Sequence, residues 1–182
     1  MKKEIEVKAK VGDFERLKEG LIALGCTLSE PVTQEDTIFI NYDRPFIQFS
    51  PGDSFLRIRK AKGQIIFTYK KGEELSSIER EIIVNDASQL QDIITFLGFR
   101  PEVQVKKTRQ KTNYLDYEIC LDEVEGLGSF VEVEKITDED SNKVQDELFE
   151  FLQTMGVKKE DRVLNGYDTL VWLKNNLDHK LP

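Results

Sequence analysis

The sequence predicts an α+β protein: one domain over residues 1–182, built as an eight-stranded antiparallel β-barrel or tunnel with helices packed outside. Three observations predict this fold. Eight short segments alternate polar and apolar residues, as strands do. Helical segments with an apolar stripe interrupt them, and no linker or low-complexity stretch divides the chain. The chain has 182 residues, 39% of them hydrophobic, which is enough for a single core.

The strands are predicted from period-two alternation. Residues 4–10 alternate charged and apolar side chains and give the first strand. A loop with two prolines and a glycine, residues 43–53, follows the second strand, and Lys62-Gly63 forms a hairpin turn between the third and the fourth. The later strands are predicted at 35–42, 54–60, 64–71, 78–84, 102–111, 113–121 and 128–136.

The helices are predicted from apolar residues at helical spacing between a cap and a glycine. Asp13 caps the first helix and Gly25 ends it. The second begins at Asp86 or Ser88, and the third covers about 139–155. The apolar stripe of the second helix consists of Leu90, Ile93, Ile94 and Leu97. A helical tail is predicted at about 166–178, in which Tyr167 and Trp172 serve packing.

Composition excludes several functional classes. A net charge of −8 argues against a nucleic-acid partner and against an anionic membrane surface. A single histidine, His179, argues against histidine-based catalytic triads and zinc sites. No signal peptide and no run of about 18 apolar residues is present, and Cys26 and Cys120 are expected to be small core residues. These features predict a reduced, cytoplasmic protein.

Charged side chains fall on one face of seven predicted strands. An ordinary wetted sheet face is the alternative, but such a face would carry more Thr, Ser and Gln than this one does. Charges enclosed without partners are costly unless they serve a ligand. The bases are Lys8, Arg57, Arg59, Lys70, Lys107 and Arg109, and the acids include Glu4, Glu6, Asp122, Glu132 and Glu134. The bases suit phosphate oxygens and the carboxylates suit Mg²⁺ or Mn²⁺, so the pattern predicts a polyphosphate ligand with its metal.

The ordered motifs resemble a known family. Glu4-Ile5-Glu6-Val7-Lys8 is an E-x-E-x-K motif, and it is followed by Leu56–Arg59, Thr68–Lys70, Lys107–Arg109 and Leu121–Glu134. Together these resemble the CYTH family, which comprises the class IV adenylyl cyclases and thiamine triphosphatases of the triphosphate tunnel metalloenzyme superfamily. The resemblance runs from residue 4 to about 172 and is closest to the cyclase branch.

The resemblance implies a role for each charged residue. Phosphate binding is implied for Lys8, Arg57, Arg59, Lys70, Lys107 and Arg109. Binding of Mg²⁺ or Mn²⁺, directly or through water, is implied for Glu4, Glu6, Asp122, Glu132 and Glu134. Lys8, Glu6 and Glu132 are the candidate catalytic residues, and Glu79 and Glu81 on the fifth strand are further candidates.

The resulting hypothesis is a metal-dependent class IV adenylyl cyclase that converts ATP to cyclic AMP and pyrophosphate, as a monomer or a homodimer. A thiamine triphosphatase or an inorganic tripolyphosphatase is the alternative reaction. A polyphosphate- or nucleotide-binding module without turnover, and a barrel whose charges only pair with each other, are the alternatives without chemistry. Loop 43–53, with Phe46, Ile47 and Phe49, is the expected adenine pocket or lid.

Overall fold

The computed structural model describes residues 3–43, 45, 54–73 and 76–177. Most of the loop expected to hold adenine, including Phe46, Ile47 and Phe49, lies outside the described residues, as does His179. Among the described residues, no helix combines the length and the apolar character needed to cross a membrane.

Nine strands and four α-helices occur in the described residues. Their order is β1 (Lys3–Lys10), α1 (Phe14–Ala23), β2 (Val32–Asn41), β3 (Ser54–Ala61), β4 (Gln64–Glu73), β5 (Ser76–Val84), α2 (Ala87–Phe96), β6 (Phe99–Tyr114), β7 (Tyr117–Val124), β8 (Gly128–Thr137), α3 (Ser141–Thr154), β9 (Arg162–Val163) and α4 (Tyr167–Leu177). All eight predicted strands are present, which confirms the α+β class. The two-residue strand β9 was not predicted, because it is too short to show alternation.

The chain forms two compact units. The first unit takes residues 1–32 and 107–165, and the second takes residues 33–106 and 166–182. Strand β6 contributes its C-terminal part to the first unit and its N-terminal part to the second. The assignment of residues 1–182 to one domain concerns both units together and stays a prediction.

In the first unit, the strands lie in the order β6-β7-β8-β1-β9. Pairing is antiparallel, and the register sets Glu6 opposite Glu134 and Lys8 opposite Glu132. The helices α1 and α3 pack on one face of this sheet because their apolar stripes match the apolar side of β1, β7 and β8. The buried core consists of Ile5, Val7, Ala9, Leu17, Leu21, Cys26, Tyr117, Ile119, Leu121, Val131, Val133, Val144, Leu148, Phe149, Leu152 and Val157.

The predicted helix boundaries of the first unit hold at α1 and shift slightly at α3. Asp13 is the N-cap of α1, where its side chain accepts a hydrogen bond from the backbone N–H of Arg16. Gly25 follows this helix with φ of 85°, a left-handed conformation that glycine adopts without strain. Helix α3 begins at Ser141 rather than at 139, because the side chain of Asp140 caps it.

In the second unit, the strands lie in the order β5-β4-β3-β2-β6. Its buried core consists of Phe39, Leu56, Ile58 and Ile94, and α2 packs against it. Asp86, rather than Ser88, caps α2, accepting a hydrogen bond from the Ser88 backbone. The predicted apolar stripe is only partly buried: Ile93 is 50% exposed and Leu97 is 68% exposed. The helix therefore buries a narrower face than its sequence indicates.

The helical tail is present as α4, at the predicted position. Tyr167 is buried, and Trp172 donates a hydrogen bond from Nε1 to Oε1 of Glu102, at 3.2 Å. Glu102 also accepts from Arg100, at 3.1 Å. The burial of Tyr167 agrees with the predicted packing role, and the hydrogen bond of Trp172 to Glu102 is an additional contact that the sequence did not predict.

Candidate functional site

The charged face of the first unit follows from alternation along its strands. In β1, Ile5 and Val7 point into the apolar core, which sends Glu4, Glu6 and Lys8 to the opposite face. The same alternation sets charged residues on β6, β7 and β8 toward that face. Because adjacent strands are paired in register, side chains separated by many residues in the chain become neighbours.

Five of these side chains form a buried acid–base cluster, which comprises Lys8, Lys107, Arg109, Asp122 and Glu132. Arg109 donates from Nε to Oδ1 of Asp122 at 2.7 Å, and its Nη2 also contacts Glu132. Lys8 Nζ lies 3.1 Å from Oε1 of Glu132, and Lys107 Nζ lies 3.4 Å from Oδ2 of Asp122. Lys8 Nζ also lies 3.3 Å from Oε1 of Glu6. Three bases thus converge in a buried place where their N–H groups could also bind the oxygens of an anion.

The members of the acid–base cluster hold each other in the charged form. Burial acts to lower the pKa of Lys8, but the carboxylates of Glu132 and Glu6 outweigh it and raise that pKa above its ordinary value. Burial acts to raise the pKa of Glu132, but Arg109, Lys8 and Lys107 lower it well below its ordinary value. Lys8 is consequently positively charged at neutral pH and can hold a phosphate oxygen.

Three other acids of the first unit form a carboxylate cluster, which comprises Glu4, Glu6 and Glu134. One carboxylate oxygen of each lies within 4.8 Å of the other two. Burial, together with the charges of Glu132, Glu6 and Glu4, raises the pKa of Glu134 to about 8. Lys8 contacts Glu6, with Nζ 3.3 Å from Oε1, yet the pKa of Glu134 stays raised. The oxygen donors of these three carboxylates are those that Mg²⁺ and Mn²⁺ prefer. These residues fit a divalent metal ion.

The raised pKa of Glu134 predicts a pH dependence of stability in excess chelator. Unfolded, this carboxyl titrates near 4.5; folded, it titrates near 8. The folded state therefore binds the extra proton between these values, so its stability is full below about pH 4.5 and falls as the pH rises to about 8. We expect Glu134→Gln to remove this loss and to melt about 5 °C or more above the parent protein at about pH 9.

The control is Glu150→Gln, which changes an exposed glutamate on α3. Its melting temperature is expected to follow that of the parent protein at every pH. Thermal unfolding followed by circular dichroism measures both variants. Parallel pH curves for the parent protein and Glu134→Gln would contradict the assignment of a raised pKa to Glu134.

Cys120 is a small, fully buried residue, as predicted, and it lies on the charged face of β7. It shares this face with Glu118 and Asp122, whereas Ile119 and Leu121 between them point into the apolar core. Its Sγ lies within 4.8 Å of carboxylate oxygens of Glu118 and Glu134. Burial raises the pKa of the Cys120 thiol, so it stays protonated and is a poor nucleophile. Cys26 does belong to the core, as predicted.

The second unit carries a separate group of charged and polar residues around Arg57. It comprises Arg57, Thr68, Lys70, Glu79 and Glu81. Nη2 of Arg57 lies 2.6 Å from Oε1 of Glu79 and 3.1 Å from Oε1 of Glu81. Lys70 Nζ lies 3.3 Å from Oε2 of Glu79. Burial acts to raise the pKa of Glu79, but Lys70 and Arg57 lower it below its ordinary value. Within the described part of the chain, the buried Nε of Arg57 has no hydrogen-bond partner, so this side chain retains a donor for a ligand.

Arg59 is held by a residue that the sequence reasoning missed. Its Nε and Nη2 donate to Oδ1 and Oδ2 of Asp36, each at 2.7 Å. Asp36 is only 6% exposed and lies directly opposite Arg59 in the register of β2 with β3. A bidentate pair of this kind fixes the plane of the guanidinium group. In the sequence, Asp36 is a single acid in a β-rich segment. Its partner becomes evident only when the pairing of β2 with β3 is known.

The structure thus divides the acidic residues of the predicted site into three groups. Glu4, Glu6 and Glu134 come together, and their role as metal ligands stays a prediction. Asp122 and Glu132 contact bases, and their role toward a metal also stays a prediction. Glu79 and Glu81 contact Arg57, and their role toward a ligand stays a prediction.

The first unit is thus an α+β structure in which helices cover the apolar face of an antiparallel sheet and the other face carries acids and bases. In a comparison with known families, the CYTH domain model matches residues 2–167. The chain belongs to the CYTH family.

Individual relatives agree with this assignment. A Methanocaldococcus jannaschii protein, provisionally named an adenylate cyclase, is 33% identical over 171 residues, which cover 90% of this chain and 95% of the relative. A solved structure from Pyrococcus horikoshii OT3 has a TM-score of 0.78 at 26% identity and covers 94% of this chain and 98% of its own. A Hippeastrum protein, provisionally named an adenylyl cyclase and described as having a dominant triphosphatase activity, shares the fold with a TM-score of 0.63 at 17% identity, over 96% of each chain.

Proposed function

We propose that this protein is a metal-dependent enzyme that acts on a triphosphate, and that its reaction is that of a class IV adenylyl cyclase, from ATP to cyclic AMP and pyrophosphate. The observation that carries the proposal is the presence, on one sheet face, of a buried cluster rich in bases and a separate cluster of three carboxylates. A triphosphate with its metal ion is the ligand that uses both.

Phosphate binding is proposed for the bases of each unit. In the first unit these are Lys8, Lys107 and Arg109, and in the second they are Arg57, Arg59 and Lys70. All six are buried or half-buried, so a charge-assisted hydrogen bond to phosphate is stronger there than in water. The acids that now contact these bases orient them and keep them charged before the ligand binds.

Metal binding is proposed for Glu4, Glu6 and Glu134. Mg²⁺ or Mn²⁺ held there would neutralise phosphate charge and lower the pKa of an attacking hydroxyl or water. Asp122 and Glu132 contact bases, so a role toward the metal requires that the triphosphate take over those bases. Because Glu134 is protonated below about pH 8, binding of the metal releases a proton in neutral solution.

In the cyclase reaction, the ribose 3′-oxygen attacks the α-phosphorus and pyrophosphate leaves. Lys8, Glu6 and Glu132 are the residues proposed to contact the reacting groups. Lys8 stays protonated and stabilises negative charge on the phosphate oxygens, and Glu132 holds Lys8 in place at 3.1 Å. In-line placement of the 3′-oxygen, about 3–3.5 Å from phosphorus, is the remaining requirement.

Hydrolysis of a triphosphate at the γ-phosphorus is the second candidate. The same two clusters serve it, with water as the nucleophile. Its support is the triphosphatase activity described for the Hippeastrum protein, which has the same fold. A module that binds a polyphosphate without turnover would need the acid–base cluster but would gain nothing from the carboxylate cluster. A cytoplasmic location is part of the proposal, and the two free, buried thiols support it.

Analysis of the products tests the proposed reaction. We expect ATP with Mn²⁺ to give cyclic AMP and pyrophosphate. We expect excess chelator to abolish the reaction, because no metal ion then activates the nucleophile or neutralises the phosphates beside Glu4 and Glu6. Ion-exchange chromatography resolves the products, and thiamine triphosphate and tripolyphosphate are assayed in parallel. Formation of ADP and phosphate alone, or much faster cleavage of tripolyphosphate, would replace the cyclase with a triphosphatase. Full activity in chelator would overturn the role of the metal.

A further inference from the structure

Gln145 is a polar residue on the buried side of α3. Its neighbours on that helix, Val144, Leu148 and Phe149, belong to the apolar core of the first unit, yet Gln145 itself is only 7% exposed. A buried amide is costly unless both its oxygen and its nitrogen are hydrogen-bonded. The two partners of Gln145 therefore indicate what its burial serves.

One partner is the strand that carries the E-x-E-x-K motif. Nε2 of Gln145 donates to the backbone carbonyl oxygen of Glu6, at 3.1 Å. The other partner is Arg162, whose Nη2 donates to Oε1 of Gln145, at 2.6 Å. A guanidinium group can only donate, so Arg162 fixes the orientation of the amide and leaves Nε2 as the donor toward Glu6.

Arg162 is itself anchored to the same strand. Its backbone belongs to β9, which pairs with β1 at Lys8 and Ala9. Its guanidinium group also lies over the ring of Phe149, 5.1 Å from the centroid. Beyond β9, the carbonyl oxygen of Asn165 accepts a hydrogen bond from Lys8 Nζ, at 3.5 Å. Residues 162–165 and Gln145 thus hold β1 at Glu6, at Lys8 and at Ala9.

We infer that Gln145 and Arg162 are positioning residues, which hold the backbone of β1 so that Glu6 presents its carboxylate to the metal and Lys8 presents its ammonium group to the phosphate. This inference rests on the proposed function, since it concerns the metal held by Glu4, Glu6 and Glu134. Residues that hydrogen-bond to metal-ligating side chains orient those side chains, and loss of such a residue typically weakens metal binding about 10–100-fold. We expect the hydrogen bond of Gln145 to the backbone of Glu6 to act in the same way.

The experiment is a Mn²⁺ titration of the full chain, followed by the electron paramagnetic resonance signal of the free ion. Gln145→Glu retains an acceptor for Arg162 but loses the donor to Glu6. We expect its Kd for Mn²⁺ to rise about tenfold, although the added negative charge alone would lower it. Arg162→Met, which frees the amide to rotate, is expected to raise the Kd by a smaller factor. Gln153→Glu is the matched control, since Gln153 is exposed on the same helix.

Circular dichroism at the titration temperature verifies that each variant is folded, and Gln145→Leu, which loses both hydrogen bonds, is the second test of the same site. A purely structural role would lower the melting temperature of these variants and leave the Kd unchanged. An unchanged Kd in folded Gln145→Glu, with normal binding in the parent protein, overturns this inference alone. Absence of Mn²⁺ binding in the parent protein overturns the proposed metal site, and the inference with it.

Discussion

Replacing Arg109 with methionine is expected to lower the free energy of unfolding by about 3 kcal/mol at neutral pH, because it leaves buried carboxylates with too little positive charge. Arg109 contacts both Asp122 and Glu132, which are 0% and 4% exposed. Lys107 and Lys8 still contact these two acids, so the effect falls at the lower end of the range for breaking buried ion pairs. Chemical denaturation measures the change.

The control for this substitution is Lys111→Met on the same strand. Lys111 pairs with Glu118 where the side chains are 47% and 39% exposed, so its loss is expected to cost about 1 kcal/mol or less. The difference between the two variants should narrow below about pH 4.5. The reason is that a carboxyl with a lowered pKa, such as Glu132, contributes stability above its unfolded value and loses that contribution in acid. Equal stability of the two variants at neutral pH would show that Arg109 does not compensate the buried acids.

Much of the fold was predictable because it depends on alternation, which is a local property of the sequence. The eight long strands and four helices lie close to their predicted positions, since each alternating or helical segment is bounded by a glycine, a proline or a capping aspartate. The exposure of Ile93 and Leu97 was not predictable, because helical periodicity shows which residues could be buried and not which surface is available to cover them.

The candidate site was predictable only in its composition. Alternation placed Glu4, Glu6 and Lys8 on one face, but the pairing of acids with bases depends on strand register, which one sequence does not give. For this reason Asp36 was missed as the partner of Arg59, and the contact of Asp122 with Arg109 was not predicted. Gln145 was missed because a single polar residue in an amphipathic helix is ordinarily exposed.

The largest expected effects on activity come from substitutions at Glu6 and Arg57, which should change kcat and KM separately. We expect Glu6→Gln to lower kcat about 100-fold or more with little change in KM, since a metal ligand acts most strongly on charge that develops in the transition state. By contrast, Arg57→Ala should raise KM about 10–100-fold, because Arg57 holds phosphate both before and during the reaction. A change of this size corresponds to the loss of one charge-assisted hydrogen bond. Steady-state kinetics with ATP and saturating Mn²⁺ measures both variants.

Saturating Mn²⁺ is essential to the comparison, because Glu6→Gln also removes one of three clustered carboxylates and weakens the metal site itself. If added Mn²⁺ restores kcat fully, Glu6 contributes metal affinity alone, and its catalytic role is wrong. Arg57 offers the opposite check. Its partner Glu79 keeps Lys70 as a neighbouring cation after the substitution, and its other partner, Glu81, is partly exposed, so the variant is expected to stay folded. A fall in kcat with unchanged KM in folded Arg57→Ala would contradict a role in phosphate binding. It would indicate instead that Arg57 stabilises charge that develops in the transition state.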